Sequence, residues 1–319
     1  MKVSVLGCGR WGSFISWYNN HIGNEVLTFG KEDSDSFRKI KETGQNEYLT
    51  YPKEIILCSD LKKAVDFADV IIISVPCQAL RSFASEIKEV GCDKPIVLCM
   101  KGMEEGTGKR LTQVMSEVGF DINNVCVWVG PGHIQDYLAG IPNVMMIDGV
   151  NESLKAKLVK SFESPLIKFY IGNDLIGTEI GAATKNVIGL AAGMLDGLNY
   201  SSLKGALMCR GAHEVSKLIE ALGGKGKSAY GLCHLGDYEA TLFSKNSHNR
   251  AFGEDFVRGA HFPKLAEGVP TCEAVIKMAK ENGIEVPITQ CLHNIIFENK
   301  NPKDELSKLF ARENKDQNN

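Results

Sequence analysis

The chain has 319 residues, 44% hydrophobic and 24% charged, enough for a sizeable buried core and outside the composition of collagen-like, low-complexity or coiled-coil proteins. Its 36 Lys and Arg against 39 Asp and Glu leave a formal charge of −3, so no overall basic field exists to hold nucleic acid, and any anion site must be local. The longest unbroken run of apolar residues and glycine, 187–195, falls far short of the roughly 18 residues of a membrane span, and no membrane insertion is expected.

The chain enters an apolar strand at Lys2 with no charged region, longer apolar stretch or cleavage site, which predicts a cytoplasmic protein without a secretory leader. The ten cysteines are scattered and form no CxxC pair, and some, such as Cys99 and Cys126, sit inside apolar runs; reduced thiols are expected. The nearest two of the seven histidines, His248 and His261, are too far apart for one helical face, so no metal site is expected.

In chain order, the first half alternates short β-branched apolar runs with amphipathic stretches, the sign of a parallel sheet. KVSVLG from Lys2, NEVLTFG from Asn24, ADVIIISVP from Ala68, PIVLCMKG from Pro95 and NVCVWVGPG from Asn124 read as strands, mostly too apolar for a solvent face. Residues 78–90 and 107–117 carry 3.6-residue periodicity and read as intervening helices, and NVMMID and IKFYIG are candidate edge strands. The predicted fold class is α/β, with a parallel-sheet unit over 1–174. From 175 the character changes: Gly, Ala and Leu dominate 175–198, 205–222 keeps helical spacing, and no strand-like run recurs. Residues 175–319 therefore read as an all-helical unit packed closely on the first. The polar stretch 298–319 predicts a surface helix and a frayed tail.

Gly7-Cys8-Gly9-Arg10-Trp11-Gly12 is a GxGxxG motif directly after a strand and before a predicted helix. Glycine there allows a tight turn and close backbone approach to a pyrophosphate seated on helix N-terminal amides. At the end of the second strand stand Gly30 and Lys31, followed by Glu32 and Asp33. Lys31 suits the additional phosphate of NADP, the acids suit the ribose diol of NAD, and a solvated loop lysine is an equal reading.

Lys101 and the run Gly130-Pro131-Gly132-His133 lie at the carboxyl ends of later strands, where open α/β sheets place ligands. Lys101 there neutralises a phosphate or polarises a carbonyl, or else begins an ordinary loop. His133 reads as a hydrogen-bonded structural residue at a helix start. Lys185 is the single charge in GAATKNVIGLAAGML; desolvation lowers an amine's pKa and suits it to proton transfer, unless the side chain snorkels to water. Its neighbour Asn186 favours the functional reading. Gly236-Asp237, Thr241 and Ser247-His248-Asn249-Arg250 gather acidic, neutral and cationic groups able to grip hydroxyls and a phosphate, or to cap helices.

Together these segments resemble the bacterial type of NAD(P)-dependent glycerol-3-phosphate dehydrogenase over nearly the whole chain: GCGRWG, KGME, GPGH, GAATKNVIGLAAGMLDGL, GLCHLGDYEAT, SHNRAFG and EGVPT follow in the family's order. The resemblance implies a Rossmann domain, a helical domain of the 6-phosphogluconate-dehydrogenase-like kind, NAD(P)H as cofactor, and a small phosphate ester as substrate. It also implies a homodimer and a role in supplying glycerol 3-phosphate to phospholipid synthesis.

Carried over by residue, Gly7, Gly9, Arg10, Trp11, Gly12, Lys31, Lys101, Ile134, His248 and Glu267 hold the cofactor. Lys101, Gly130, Gly132, Lys185, Asp237, Ser247, His248 and Asn249 line the substrate pocket, with Arg250 beside it. Lys185 is the proton donor and acceptor, and Lys101 is the second catalytic lysine.

Two departures stand out. His248 replaces the first arginine of the family's S-R-N-R block, so phosphate binding is expected to lean on Arg250 or on protonated His248 and to weaken as pH rises. GPGHI stands where GPSFA is usual, leaving backbone amides or His133 to replace the serine lost at Gly132. A dehydrogenase of the same plan for another small hydroxy acid or phosphorylated alcohol, and a nicotinamide-nucleotide-binding regulator without turnover, are the alternatives.

Overall fold

The computed structural model describes residues 1–311. The strands are β1 (Lys2–Leu6), β2 (Glu25–Phe29), β3 (Ile56–Cys58), β4 (Val70–Ile73), β5 (Ile96–Leu98), β6 (Val125–Val129), β7 (Asn143–Gly149) and β8 (Ile167–Ile171). Among the described residues these eight form one sheet in the order β3-β2-β1-β4-β5-β6-β7-β8.

All pairs from β3 through to β6 are parallel. Strand β7 instead runs antiparallel to β6, with Asp148 opposite Val127, so the sheet is mixed rather than purely parallel. The link between them, 130–142, carries the short helix α6 (Ile134–Leu138). NVMMID and IKFYIG are indeed the last two strands on that edge. Strand β3, which the sequence pattern does not reveal, is three residues long and held by its pairing with β2.

Six further helices cover the sheet: α1 (Arg10–His21), α2 (Asp35–Thr43), α3 (Leu61–Phe67), α4 (Leu80–Glu89), α5 (Leu111–Val118) and α7 (Glu152–Phe162). Because side chains alternate along a strand, Val3 and Val5 pack with Phe14 and Tyr18 of α1 and Phe162 of α7 around Trp128, while Leu6, Ile71 and Ile73 meet α3, α4 and α5 on the other face. Both faces are thus buried, as the apolar strands require. Helices α4 and α5 begin later than their periodicity suggests. A 3₁₀ turn over Cys77–Ala79 precedes the first, and left-handed Gly106 and Gly108 hold the chain in a turn before the second.

The second half is helical: α8 (Leu175–Gly197), α9 (Lys204–Ala221), α10 (His248–Val257), α11 (Gly268–Asn282), α12 (Pro287–Ile296) and α13 (Pro302–Phe310). The Asp174 carboxylate caps α8 by accepting from Gly177 N at 3.1 Å. Every residue of α8 from Gly177 to Leu195 is buried, which explains why it is apolar on all sides: α9, α10, α11 and α12 enclose it. Glycine brings α10 unusually near. A Cβ on Gly193 would stand 1.9 Å from Arg250 O, and one on Gly253 would stand 2.1 Å from Leu190 O. The predicted terminal helix is α13, which buries Leu306; the predicted frayed tail lies outside the described residues.

The halves dock through buried carboxylates that are fully engaged. Glu179 of α8 pairs with Arg110 and accepts from Thr112 N (2.9 Å) and Thr112 Oγ1 (2.6 Å) at the start of α5. Asp148 of β7 accepts from Thr178 Oγ1 at 2.7 Å. Removing one partner from such a site strands a buried charge, so these contacts fix the register between sheet and helices. Among the described residues no helix is long and apolar enough to cross a membrane.

Candidate active site

Strand order reverses between β1 and β4, and the glycine-rich turn sits at that switch point. Gly7 has φ +113°, and a Cβ there would lie 2.2 Å from Ser74 O at the end of β4, so only glycine fits. Helix α1 starts at Arg10 with no side-chain cap, leaving its first amides available to an anion.

Two cavities flank this turn and share Gly9, Ser74, Val75 and Pro76. One of about 400 Å³ extends over Lys31 and Asp33; the other, of about 560 Å³, lies between the two halves. Lys31 is 3.1 Å from Glu86 and lies over the Phe83 ring. Glu32 turns instead to Ser59 Oγ and Lys41, so of the two acids after Lys31 it is Asp33 that borders the cavity.

The 560 Å³ cavity carries three buried polar atoms without a hydrogen-bond partner: Trp11 Nε1, His133 Nε2 and Glu267 Oε2. Such atoms are costly in a folded protein unless a ligand satisfies them. Together with the uncapped helix and the glycine cradle, they suit the pyrophosphate, ribose hydroxyls and carboxamide of a nicotinamide dinucleotide. Glu267 Oε1 is already held by Cys77 N at 3.0 Å, and burial raises the carboxyl's pKa. Ile134, at the start of α6, is buried in the same wall.

At the centre of this cavity Asp237 joins two lysines from different halves. Lys101, just after β5, places Nζ 2.7 Å from Asp237 Oδ2 and donates to Gly130 O at 2.6 Å, with the Trp11 ring 5.8 Å away. Lys185, on α8, lies 2.5 Å from the same Oδ2 and donates to Thr241 Oγ1 at 3.1 Å. Thr241 in turn donates to Asp237 O at 2.7 Å, from a π-helical turn over Glu239–Phe243. Two ammonium groups on one carboxylate leave an excess positive charge facing the cavity. Burial, opposed by Asp237 and reinforced by Lys101, pushes the Lys185 amine down to about 7.

A chain of amides connects this centre to the helical wall. Gly268 N donates to Asn249 Oδ1 (2.9 Å), Asn249 Nδ2 to Asn186 Oδ1 (2.9 Å), and Asn186 Nδ2 to Lys101 O (2.7 Å). The sequence singles out both asparagines but gives no sign of the link. Below them His234, fully buried, contacts Gly181 O (2.8 Å) and Tyr238 Oη (2.6 Å) through its two ring nitrogens. Burial lowers its pKa to about 4, which makes it a neutral brace under α8. Its position in GLCHLGD carried no signal for this.

The wall around Ser247 corrects two expectations. Arg250 does not border the cavity: its guanidinium is committed to Asp196 and Glu254, both at 2.8 Å. His248 does border it, but burial and the nearby Arg10 cation lower its pKa, so it stands neutral rather than protonated near pH 7. Ser247 caps α10 by accepting from Arg250 N at 3.3 Å. Gly132 is required by its neighbour, since a Cβ there would meet Tyr137 Oη at 2.4 Å. His133 is not the hydrogen-bonded structural residue expected, because its Nε2 has no partner. Arg10 reaches across the cleft, Nη1 donating to Asn246 O at 2.9 Å.

A Rossmann sheet with its glycine turn at the switch point, a helical half across the cleft, and two lysines sharing one buried carboxylate between them define a nicotinamide-nucleotide-dependent dehydrogenase. The family models described as NAD-dependent glycerol-3-phosphate dehydrogenase N-terminus and C-terminus match residues 2–154 and 174–307. The chain belongs to the NAD-dependent glycerol-3-phosphate dehydrogenase family.

It is 34% identical to glycerol-3-phosphate dehydrogenase [NAD(P)+] of Fusobacterium nucleatum, covering 99% of this chain and 98% of that one. The same enzyme of a Thermoanaerobacter species is also 34% identical, over 99% and 98% of the two chains. The crystal structure of glycerol-3-phosphate dehydrogenase from Coxiella burnetii superposes with a TM-score of 0.90 at 26% identity, covering 98% of this chain and 99% of that chain.

Proposed function

We propose that this protein interconverts sn-glycerol 3-phosphate and dihydroxyacetone phosphate using NAD(P)H, with residues 1–174 holding the nucleotide and 175–319 completing the substrate pocket. The observation that carries the proposal is the Lys101–Asp237–Lys185 cluster beside the unpartnered Trp11, His133 and Glu267 atoms. When bound, the nicotinamide supplies the hydride that reduces the substrate's C2 carbonyl.

In that direction Lys185 gives a proton from its ammonium to the C2 oxygen, and Lys101 stabilises the negative charge developing there. Asp237 keeps the two cations side by side. In the oxidising direction the neutral Lys185 amine takes the hydroxyl proton, a role suited to a pKa of about 7. Trp11 and Glu267 orient the nucleotide and Ser247 faces the substrate, while Gly130, which does not border the cavity, holds Lys101 through its carbonyl. Asn249 holds Asn186, and through it Lys101, in place.

The product alcohol phosphate is the backbone of glycerophospholipids, so a cytoplasmic supply role follows from this reading. A homodimer through the helical half is carried by the family resemblance, and light scattering of the purified chain tests it. The decisive assay follows NADH and NADPH absorbance with dihydroxyacetone phosphate. Consumption supports the proposal; binding of the nucleotide without consumption would sink it in favour of a regulator.

A further inference from the structure

We propose that Arg10, from the glycine-rich turn, is the residue that grips the phosphoryl group of the substrate; this rests on the phosphate-ester reading above. A phosphate dianion in a cleft needs a cation with hydrogen-bond donors to spare. Most cations near the 560 Å³ cavity are already spent. Lys101 and Lys185 share Asp237. Arg250 is held by Asp196 and Glu254, away from the cavity. Lys264 is half exposed and faces Glu47 at 4.0 Å. His133 and His248 are both shifted toward the neutral form by burial.

Arg10 differs from all of these. Among the described residues Arg10 forms no ion pair within 4.0 Å, Glu47 attracts it only from farther off, and its one hydrogen bond runs to the neutral carbonyl of Asn246 at 2.9 Å. A five-donor fork is therefore largely unspent.

The resemblance gives Arg10 to the cofactor, but its side chain crosses to Asn246, so only its backbone amide in the glycine-rich turn stays with the pyrophosphate. The pyrophosphate is served by the uncapped amides of α1. The Arg10 side chain leaves that spot and crosses to the helical half, next in sequence to Ser247, whose hydroxyl accepts from Arg250 N and still has its proton to donate. Guanidinium and hydroxyl on one wall, with the two lysines deeper in the same cavity, match a molecule with a phosphate at one end and a reacting carbon at the other.

The test uses the full chain with Arg10→Met, which keeps the apolar stem, and Arg10→Lys, which keeps charge without the fork. Measured are kcat/KM for dihydroxyacetone phosphate and for phosphate-free dihydroxyacetone, and the Kd of NADH and NADPH by tryptophan quenching. Arg10→Met is expected to lose about 100-fold on the phosphorylated substrate, the scale for removing one partner of a desolvated charge pair. The phosphate-free substrate and the nucleotide Kd should stay within about threefold, and Arg10→Lys should recover part of the loss. Equal losses on both substrates, or a loss confined to nucleotide Kd, overturn the proposal.

If the wild-type chain does not oxidise NAD(P)H with dihydroxyacetone phosphate, the phosphate-ester reading falls instead. Binding of inorganic phosphate, read by the same quenching, then decides on Arg10: weaker binding by Arg10→Met supports the grip, and an unchanged Kd overturns it.

Discussion

Lys185 Nζ and Asp237 Oδ2 lie 2.5 Å apart, on side chains only 8% and 2% exposed, yet the amine titrates near 7 because burial outweighs the attraction. In the proposed role of Lys185 the ammonium is the reactive form for reduction and the neutral amine for oxidation. The reduction rate should therefore fall as pH rises through about 7, and the oxidation rate should rise through the same region. Paired pH–rate profiles at saturating nucleotide check this; parallel profiles in the two directions would remove Lys185 from proton transfer. Lys185→Ala should lose roughly 100-fold or more in turnover with nucleotide affinity intact.

Asp237→Asn removes the anion that raises the Lys185 pKa, so the inflection should move to lower pH. The same change takes from two buried amines the carboxylate that both of them touch, and losing one partner of a buried pair costs about 3 kcal/mol or more. Chemical denaturation and the pH profile of the surviving activity read the two effects separately. An inflection that stays in place would show that Asp237 does not act on Lys185.

Nucleotide choice turns on the end of β2. Lys31 is largely exposed and balanced by Glu86, so its charge is available to a ribose phosphate only in competition with that carboxylate. Lys31→Ala should weaken NADPH binding by about threefold to tenfold relative to NADH, the loss of roughly 1 kcal/mol typical of an exposed ion pair. Equal changes for both nucleotides in a fluorescence titration would leave Lys31 as a solvated lysine.

Gly193→Ala pushes a methyl group into Arg250 O across the α8–α10 crossing. Overpacking of this kind costs about 1–3 kcal/mol, and more where the obstacle is backbone. Thermal unfolding should show a lower Tm, and kcat should fall, since α10 carries Asn249, which holds Asn186 and through it Lys101. A drop in Tm with unaltered kcat would show that the site tolerates the shift.

Much of this arrangement was legible in the sequence, because it is written in local patterns. β-branched runs gave the central strands, the glycine turn gave the switch point, and a lone charge in an apolar helix gave Lys185. What escaped depended on distant contacts. Strand β3 exists through its pairing with β2, and β7 takes its antiparallel direction through its pairing with β6. In sequence Arg250 reads as an anion site, whereas in the structure Asp196 and Glu254 claim it. Conversely, nothing local to Arg10 says that it reaches Asn246, 236 positions away.

Lys101 belongs to the sheet half, whereas Lys185 and Asp237 belong to the helical half, and the Asn186 link to Lys101 O crosses the same boundary. Any parting of the halves that admits or frees a ligand must pull these groups asunder. The charge constellation is whole only while the two halves touch, so their contact is itself part of the site.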